Sequence, residues 1–277
     1  MKRYAQQMIL TIAFLMAGAS TAVAETIVIK GSTTVLPIAQ AALEAYMKAN
    51  PGAKISLSGG GSGEGIKALI DRSTDIATSS REIKANEIAL AKSKGVNPTA
   101  AVVAIDAIVP IVNPKNRVRD LTIDQLSQIY QGKIANWKEV GGDDLQIVAV
   151  SRDSSSGTFE SWSELVLNKA KVTPRAQMQA SSGAIVQTVS KNRYALGYIG
   201  LGYLDKTVKG LTVSGVPASA TTAIAKTYPI SRPLYMYTNG TPKGETAKFI
   251  AFVLGSEGQK IVAREGFVPV AGAGKKK

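Results

Sequence analysis

Neither cysteine nor histidine occurs in the 277 residues of this chain. The first absence excludes disulfides, thiolate nucleophiles and a lipid on a cysteine behind an export signal. The second removes the usual general base near neutral pH and the commonest metal-binding imidazole, which weakens hydrolase and metalloenzyme readings. No metal and no cofactor are expected. Aromatic residues are few, at 6%, and 20 acidic side chains face 33 lysines and arginines, for a formal charge of +13. The cations are scattered and no aromatic-rich RNA-binding motif accompanies them, so nucleic acid is not the expected partner; a positive field also draws in small anions.

Long apolar runs are scarce as well. Met8 to Ala17 falls short of the ~20 residues that a membrane-spanning helix needs, and no later segment comes close. With Lys2 and Arg3 before it and Ala22-Val23-Ala24 after it, this run reads as a secretory signal (residues 1–24) cut after Ala24. Losing Lys2 and Arg3, with no acid in that segment, lowers the charge from +13 to +11. A soluble periplasmic monomer without direct membrane insertion is the expectation. Its 45% hydrophobic and 19% charged residues suit a packed globular protein.

What is present is an alternation of short apolar β-rich runs with helical stretches, the pattern of an α/β architecture with largely parallel sheets. Ile27-Val28-Ile29 leads into Gly31-Ser32-Thr33-Thr34 and then Val35, Leu36, Ala39, Leu43, Tyr46 and Met47 at helical spacing, stopped by Asn50-Pro51-Gly52. The same order of strand, polar turn and helix recurs at Lys54 to Leu57, Gly59 to Gly63 and Ile66 to Ile70. It returns at Leu145 to Val150, Ser151 to Gly157 and Thr158 to Asn168. Two longer apolar strands, Ala101 to Val112 and Leu234 to Tyr237, read as crossing segments. They predict a discontinuous first lobe, 25–110 and 232–277, around a second lobe, 111–231. A C-terminal helix is signalled by Thr241 as N-cap, Pro242 at the first position and Gly255 at the stop, and Gly274 to Lys277 reads as a solvated tail.

A tetrahedral oxyanion can be held without metal by amides at helix starts, short hydroxyl side chains and an arginine. Ser32-Thr33-Thr34, Gly61-Ser62-Gly63 and Ser156-Gly157-Thr158 each fit that description. One such loop is ordinarily just a helix cap; three favour a binding function. Arg152 stands just before the third loop, and its rigid fork matches paired anion oxygens; the plain alternative is a surface pair with Asp153 or Glu160. Gly60 to Gly65 lacks the GK[ST] of a nucleotide loop, which excludes nucleoside triphosphates, whereas a nest for one small anion needs only the glycines and Ser62. Asp106 interrupts the apolar run Val102 to Val109 and must find a partner, for which Arg81 is the candidate. It either accepts a proton from the anion or only pairs with Arg81. Trp137 and Trp162 read as packing, Tyr198 and Tyr203 could line a cleft, and Asn239-Gly240-Thr241, a glycosylation pattern, reads better as a helix cap.

Together with Asp75 to Arg81, Gly132 to Trp137, Ala195 to Gly200 and Arg232 to Tyr235, these loops resemble the phosphate-binding proteins of ABC importers over nearly the whole chain after the signal. The resemblance implies a periplasmic-binding-protein fold: two lobes, each a mainly parallel sheet flanked by helices, joined by two crossing strands. Dehydrated phosphate would sit between them and pass to a membrane permease, without catalysis. Ligand contacts carried over by motif fall on Thr33, Thr34, Ser62, Arg152, Ser156, Gly157 and Thr158; Ser32, Arg81 and Asp106 join them from the readings above. Longer members carry an aspartate where this chain shows Arg81, which leaves open the acid that takes the proton of hydrogen phosphate. Sulfate, molybdate or an organic phosphate would suit the same loops. A secreted phosphoester hydrolase is the enzyme alternative, limited to an unusual serine–lysine or aspartate arrangement; a sensor or scaffold borrowing the fold is the third.

Overall fold

The computed structural model describes residues 26–270; the signal with its cleavage site and the tail from Gly274 to Lys277 lie outside the described residues. The chain runs β1 (Thr26–Gly31), α1 (Leu36–Ala49), β2 (Lys54–Gly59), α2 (Ser62–Ile70), β3 (Ile76–Ser79), α3 (Ala85–Ser93) and β4 (Pro98–Val112). It continues through β5 (Asp120–Leu121), α4 (Ile123–Gln131), β6 (Val148–Arg152), α5 (Gly157–Leu165), β7 (Gln177–Gln179), α6 (Ser182–Lys191) and β8 (Ala195–Gly200). Last come β9 (Lys209–Gly210), β10 (Thr212–Val213), α7 (Ala220–Ile224), β11 (Ser231–Asn239), α8 (Gly244–Leu254) and α9 (Ser256–Arg264).

The main sheet has the order β2-β1-β3-β11-β4-β8-β6-β7, with β9 on β4 and a separate β5–β10 pair. Two parallel groups, β2-β1-β3 and β8-β6-β7, flank the antiparallel β11 and β4. β4 belongs to both sides: Pro98 to Ala107 pair with β11, and Ile108 to Val112 pair with β8. Apolar burial divides at the same point. Ile29, Ile38, Val103, Ala104, Leu234 and Phe249 share one core, while Ala107, Ile108, Tyr130, Trp162, Tyr198 and Ile230 share another. The fold is thus α/β and two-lobed. The chain leaves the first half and re-enters it side by side, since Ile108 N donates to Ile230 O at 2.8 Å.

Several element ends move from their expected places, for local reasons. Both crossing strands outrun their apolar stretches because ladder pairing continues to Pro98 opposite Asn239. The helix expected from Pro242 starts at Gly244 with Lys243 as N-cap, so Thr241 is no cap: Gly240 and Gly244 take φ of 68° and 54°, and the chain turns twice before helical geometry begins. Asn239 does not cap that helix either; its Oδ1 accepts from Asn97 N at 2.9 Å. α5 stops at Leu165 rather than Asn168, because Asn168 and Lys169 take positive φ. Arg152 ends strand β6 instead of opening a loop, which fixes its backbone in the ladder opposite Gln179.

Candidate anion-binding site

All three hydroxyl-bearing loops meet at the seam between the halves. Ser32 Oγ accepts from Thr34 N (3.1 Å) and Val35 N (3.4 Å), spending its side chain on the turn into α1. That turn aims Thr34 across the seam, where its Oγ1 lies 2.8 Å from Thr158 Oγ1. The second loop docks on the third: Gly63 N donates to Ser155 O at 2.9 Å, and Ser155 Oγ donates to Gly60 O at 3.0 Å. At Gly157 a Cβ would sit 2.3 Å from Ser62 Oγ and 2.7 Å from Ser80 Oγ, so only glycine lets the start of α5 approach the start of α2 this closely. Ser156 Oγ caps its own helix by accepting from Phe159 N at 3.2 Å. The first amides of α1, α2 and α5 have no intrahelical acceptors, and their positive dipole ends point into one region.

Arg152 is only 1% exposed. Its Nε donates to Gln179 O and its Nη2 to Ala180 O, both at 2.9 Å, which sets the guanidinium in a fixed plane beside the start of α6. Asp153 Oδ2 stands 3.9 Å away on a 39% exposed side chain, and Glu160 is engaged elsewhere, so a surface ion pair does not describe this arginine. Beneath it, Tyr198 OH accepts from Arg152 N (3.3 Å) and bonds Ser151 Oγ (2.9 Å), while its ring stacks on Trp162 with centroids 4.3 Å apart. Trp162 and Trp137 are both core residues. Tyr203 OH donates across the seam to Thr33 O. Burial pushes the phenols of Tyr198 and Tyr203 up to about 12, so both are neutral donors at physiological pH.

Asp106 pairs with Arg232, not with Arg81. The two are cross-strand neighbours on β4 and β11; Arg232 Nε and Nη2 donate to Asp106 Oδ2 at 3.1 and 2.9 Å, and Asp106 Oδ1 accepts from Leu201 N at 2.9 Å. Arg232 reaches on to Thr158 Oγ1 (2.9 Å) and Gly157 O (3.3 Å), tying the crossing strand to the start of α5. Arg81 turns away from the seam's centre. Its Nη1 and Nη2 donate to the Glu87 carboxylate at 2.8 and 2.7 Å, and its Nε lies 2.5 Å from Glu160 Oε2, a contact of charges without hydrogen-bond angles. Ser80, one residue earlier, is the group that faces Ser62, donating its N–H to Ser62 Oγ at 3.0 Å.

The charge balance at the seam is uneven. Arg152 and Arg232 are 1% and 5% exposed, and Asp106, at 0%, is the carboxylate buried with them. Burial pulls both guanidiniums below their ordinary values; Arg232 depresses Arg152 further, while Asp153 and Asp106 resist. Burial also raises the Asp106 carboxyl, against the pull of Arg232. Arg232 and Ser80 were not among the site residues expected from the sequence. Arg232 belongs to the Arg232–Tyr235 motif, yet its partner lies 126 positions away and no local pattern links them.

The PBP superfamily domain model matches residues 17–257. The chain is 35% identical over 254 residues to the phosphate-binding protein PstS of Borreliella burgdorferi, covering 87% of this chain and 89% of that one. The chain belongs to the PBP superfamily, among its phosphate-binding proteins. Bacillus subtilis PstS is 32% identical over 250 residues, covering 88% and 81%. Of solved structures, a Clostridium perfringens protein ascribed to a phosphate ABC transporter, with bound phosphate, shares a TM-score of 0.83 and 38% identity, over 89% of this chain and 100% of that one. An ABC-type phosphate transport receptor from Vibrio cholerae follows at 0.72 and 32%, over 88% and 100%.

Proposed function

We propose that this chain captures inorganic phosphate in the seam between its halves, outside the cytoplasmic membrane, and delivers it to the permease of an ABC importer. The observation that carries this reading is the burial of two guanidiniums against one carboxylate at converging helix starts. An unbalanced buried charge is costly, and a dehydrated anion among amides and hydroxyls is what would balance it. The PstS relatives support phosphate as that anion. Residues 25–110 with 232–277 form one lobe and 111–231 the other in this reading, with the first boundary moved back to about Asp106, since Ala107 and Ile108 pack in the second core and Ile108 to Val112 pair with β8. Closing the lobes on phosphate brings Thr33, Thr34 and Ser62 from one side against Arg152, Ser156, Gly157 and Thr158 from the other. Ser32 and Asp106 serve it indirectly, as a turn cap and as the partner that holds Arg232; Arg81 acts outside the cradle.

The site binds without turning over its ligand in this reading, since among the described residues none of its hydroxyls adjoins a free base. Among the described residues no helix is long and apolar enough to cross a membrane, and export rests on the segment ending at Ala24. Titration calorimetry with phosphate and sulfate tests the assignment: phosphate should bind tightly and in preference to sulfate, and absent or equal binding of the two overturns it. Arg152→Lys keeps the charge but loses the fork, and should weaken phosphate binding at least about tenfold.

A further inference from the structure

The loops that the sequence singled out supply three helix starts to the seam, but the structure brings a fourth. α6, ten residues long, begins at Ser182 directly after the two carbonyls that orient Arg152. Ser181 acts as its N-cap, accepting from Ala184 N at 3.1 Å, so the helix needs no cap from Ser182. Ser182 N–H points at Thr33 Oγ1 in the opposite half, 3.4 Å away. The Ser182 side chain is 1% exposed, and its Oγ has no hydrogen-bond partner among the described residues. A buried hydroxyl without a partner costs about 1–3 kcal/mol, so a site that serves no ligand would gain stability by replacing it with alanine.

We infer that Ser182 is a direct ligand residue for a tetrahedral oxyanion: its hydroxyl, at the N-terminal start of α6, completes a cradle of two helix starts from each half. This rests on the phosphate reading above and adds a donor to it. It follows from position: Ser182 adjoins Thr33 and comes two residues after the second carbonyl that orients the Arg152 fork, and among the described residues its O–H has no acceptor, which an anion oxygen would provide. The two halves then contribute in kind, α1 and α2 from one, α5 and α6 from the other.

Phosphate calorimetry on the full chain and on Ser182→Ala, with thermal melts of phosphate-free protein, tests this. The variant should bind phosphate about 10- to 100-fold more weakly, while its phosphate-free melting temperature stays level or rises. Equal affinity in a wild type that does bind phosphate overturns the role of Ser182 and leaves the phosphate reading standing. A lower phosphate-free melting temperature overturns it too, since the hydroxyl would then have a partner within the protein. A wild type that fails to bind phosphate sinks the underlying reading instead.

Discussion

Asp106 shows how a single buried charge serves the site without facing the ligand. Its two oxygens are occupied by Arg232 and by Leu201 N, so it holds the cation that grips Thr158 and Gly157. Asp106→Asn should cost about 3–5 kcal/mol of stability by leaving a buried guanidinium unpaired. It should also enlarge the rise in melting temperature that saturating phosphate produces, because the anion then offsets a larger imbalance. Paired melts with and without phosphate check both effects, and an unchanged phosphate-free melt refutes the dependence. At this scale the sequence exposed the hydroxyls and Arg152, because strand, polar turn and helix follow one another locally. It could not choose the partner of Asp106: Arg81 and Arg232 are both arginines at some distance, and only the β4–β11 register decides between them.

Between elements, the seam is closed by more than the anion cradle. Glu160 on α5 faces Arg81 and Lys84 across it, with Lys84 Nζ 2.9 Å from Glu160 Oε1, and Arg81 is itself anchored by Glu87 at the start of α3. Burial acts to raise the Glu87 carboxyl, but the hydrogen bonds from Arg81 and Lys84 outweigh it and hold the group below its usual 4.5. Glu160→Lys would set three cations together and should favour the open arrangement, weakening phosphate binding about 3- to 30-fold with every cradle residue intact. Small-angle scattering at subsaturating phosphate should show a larger radius of gyration than wild type; matching curves would refute this latch. The order of elements was legible from apolar periodicity. Their ends were not, because positive φ at Gly240, Gly244, Asn168 and Lys169 is set by tertiary turns rather than by local pattern.

For the molecule as a whole, an excess of cations surrounds an inward-facing anion site. A field of that sign speeds the arrival of anions and is screened within about 8–10 Å at moderate salt. Stopped-flow association with phosphate should therefore slow severalfold between about 20 and 200 mM sodium chloride while dissociation changes little; a flat association rate would show that the scattered lysines do not steer. The fold class could be read from composition and alternation, and the resemblance extended it to two lobes. What sequence could not supply is where along β4 the two halves divide, at Ala107 and Ile108. That strand and β11 carry a further consequence: the outgoing and returning backbone touch at Ile108 and Ile230. A stretch whose two ends already meet is a cassette, which can be lifted out and sealed with a short linker or exchanged for a relative's. Any such graft must match its host at one point above all, the glycine-tight abutment of Gly157 on Ser62, where a single added methyl would hold the jaws apart.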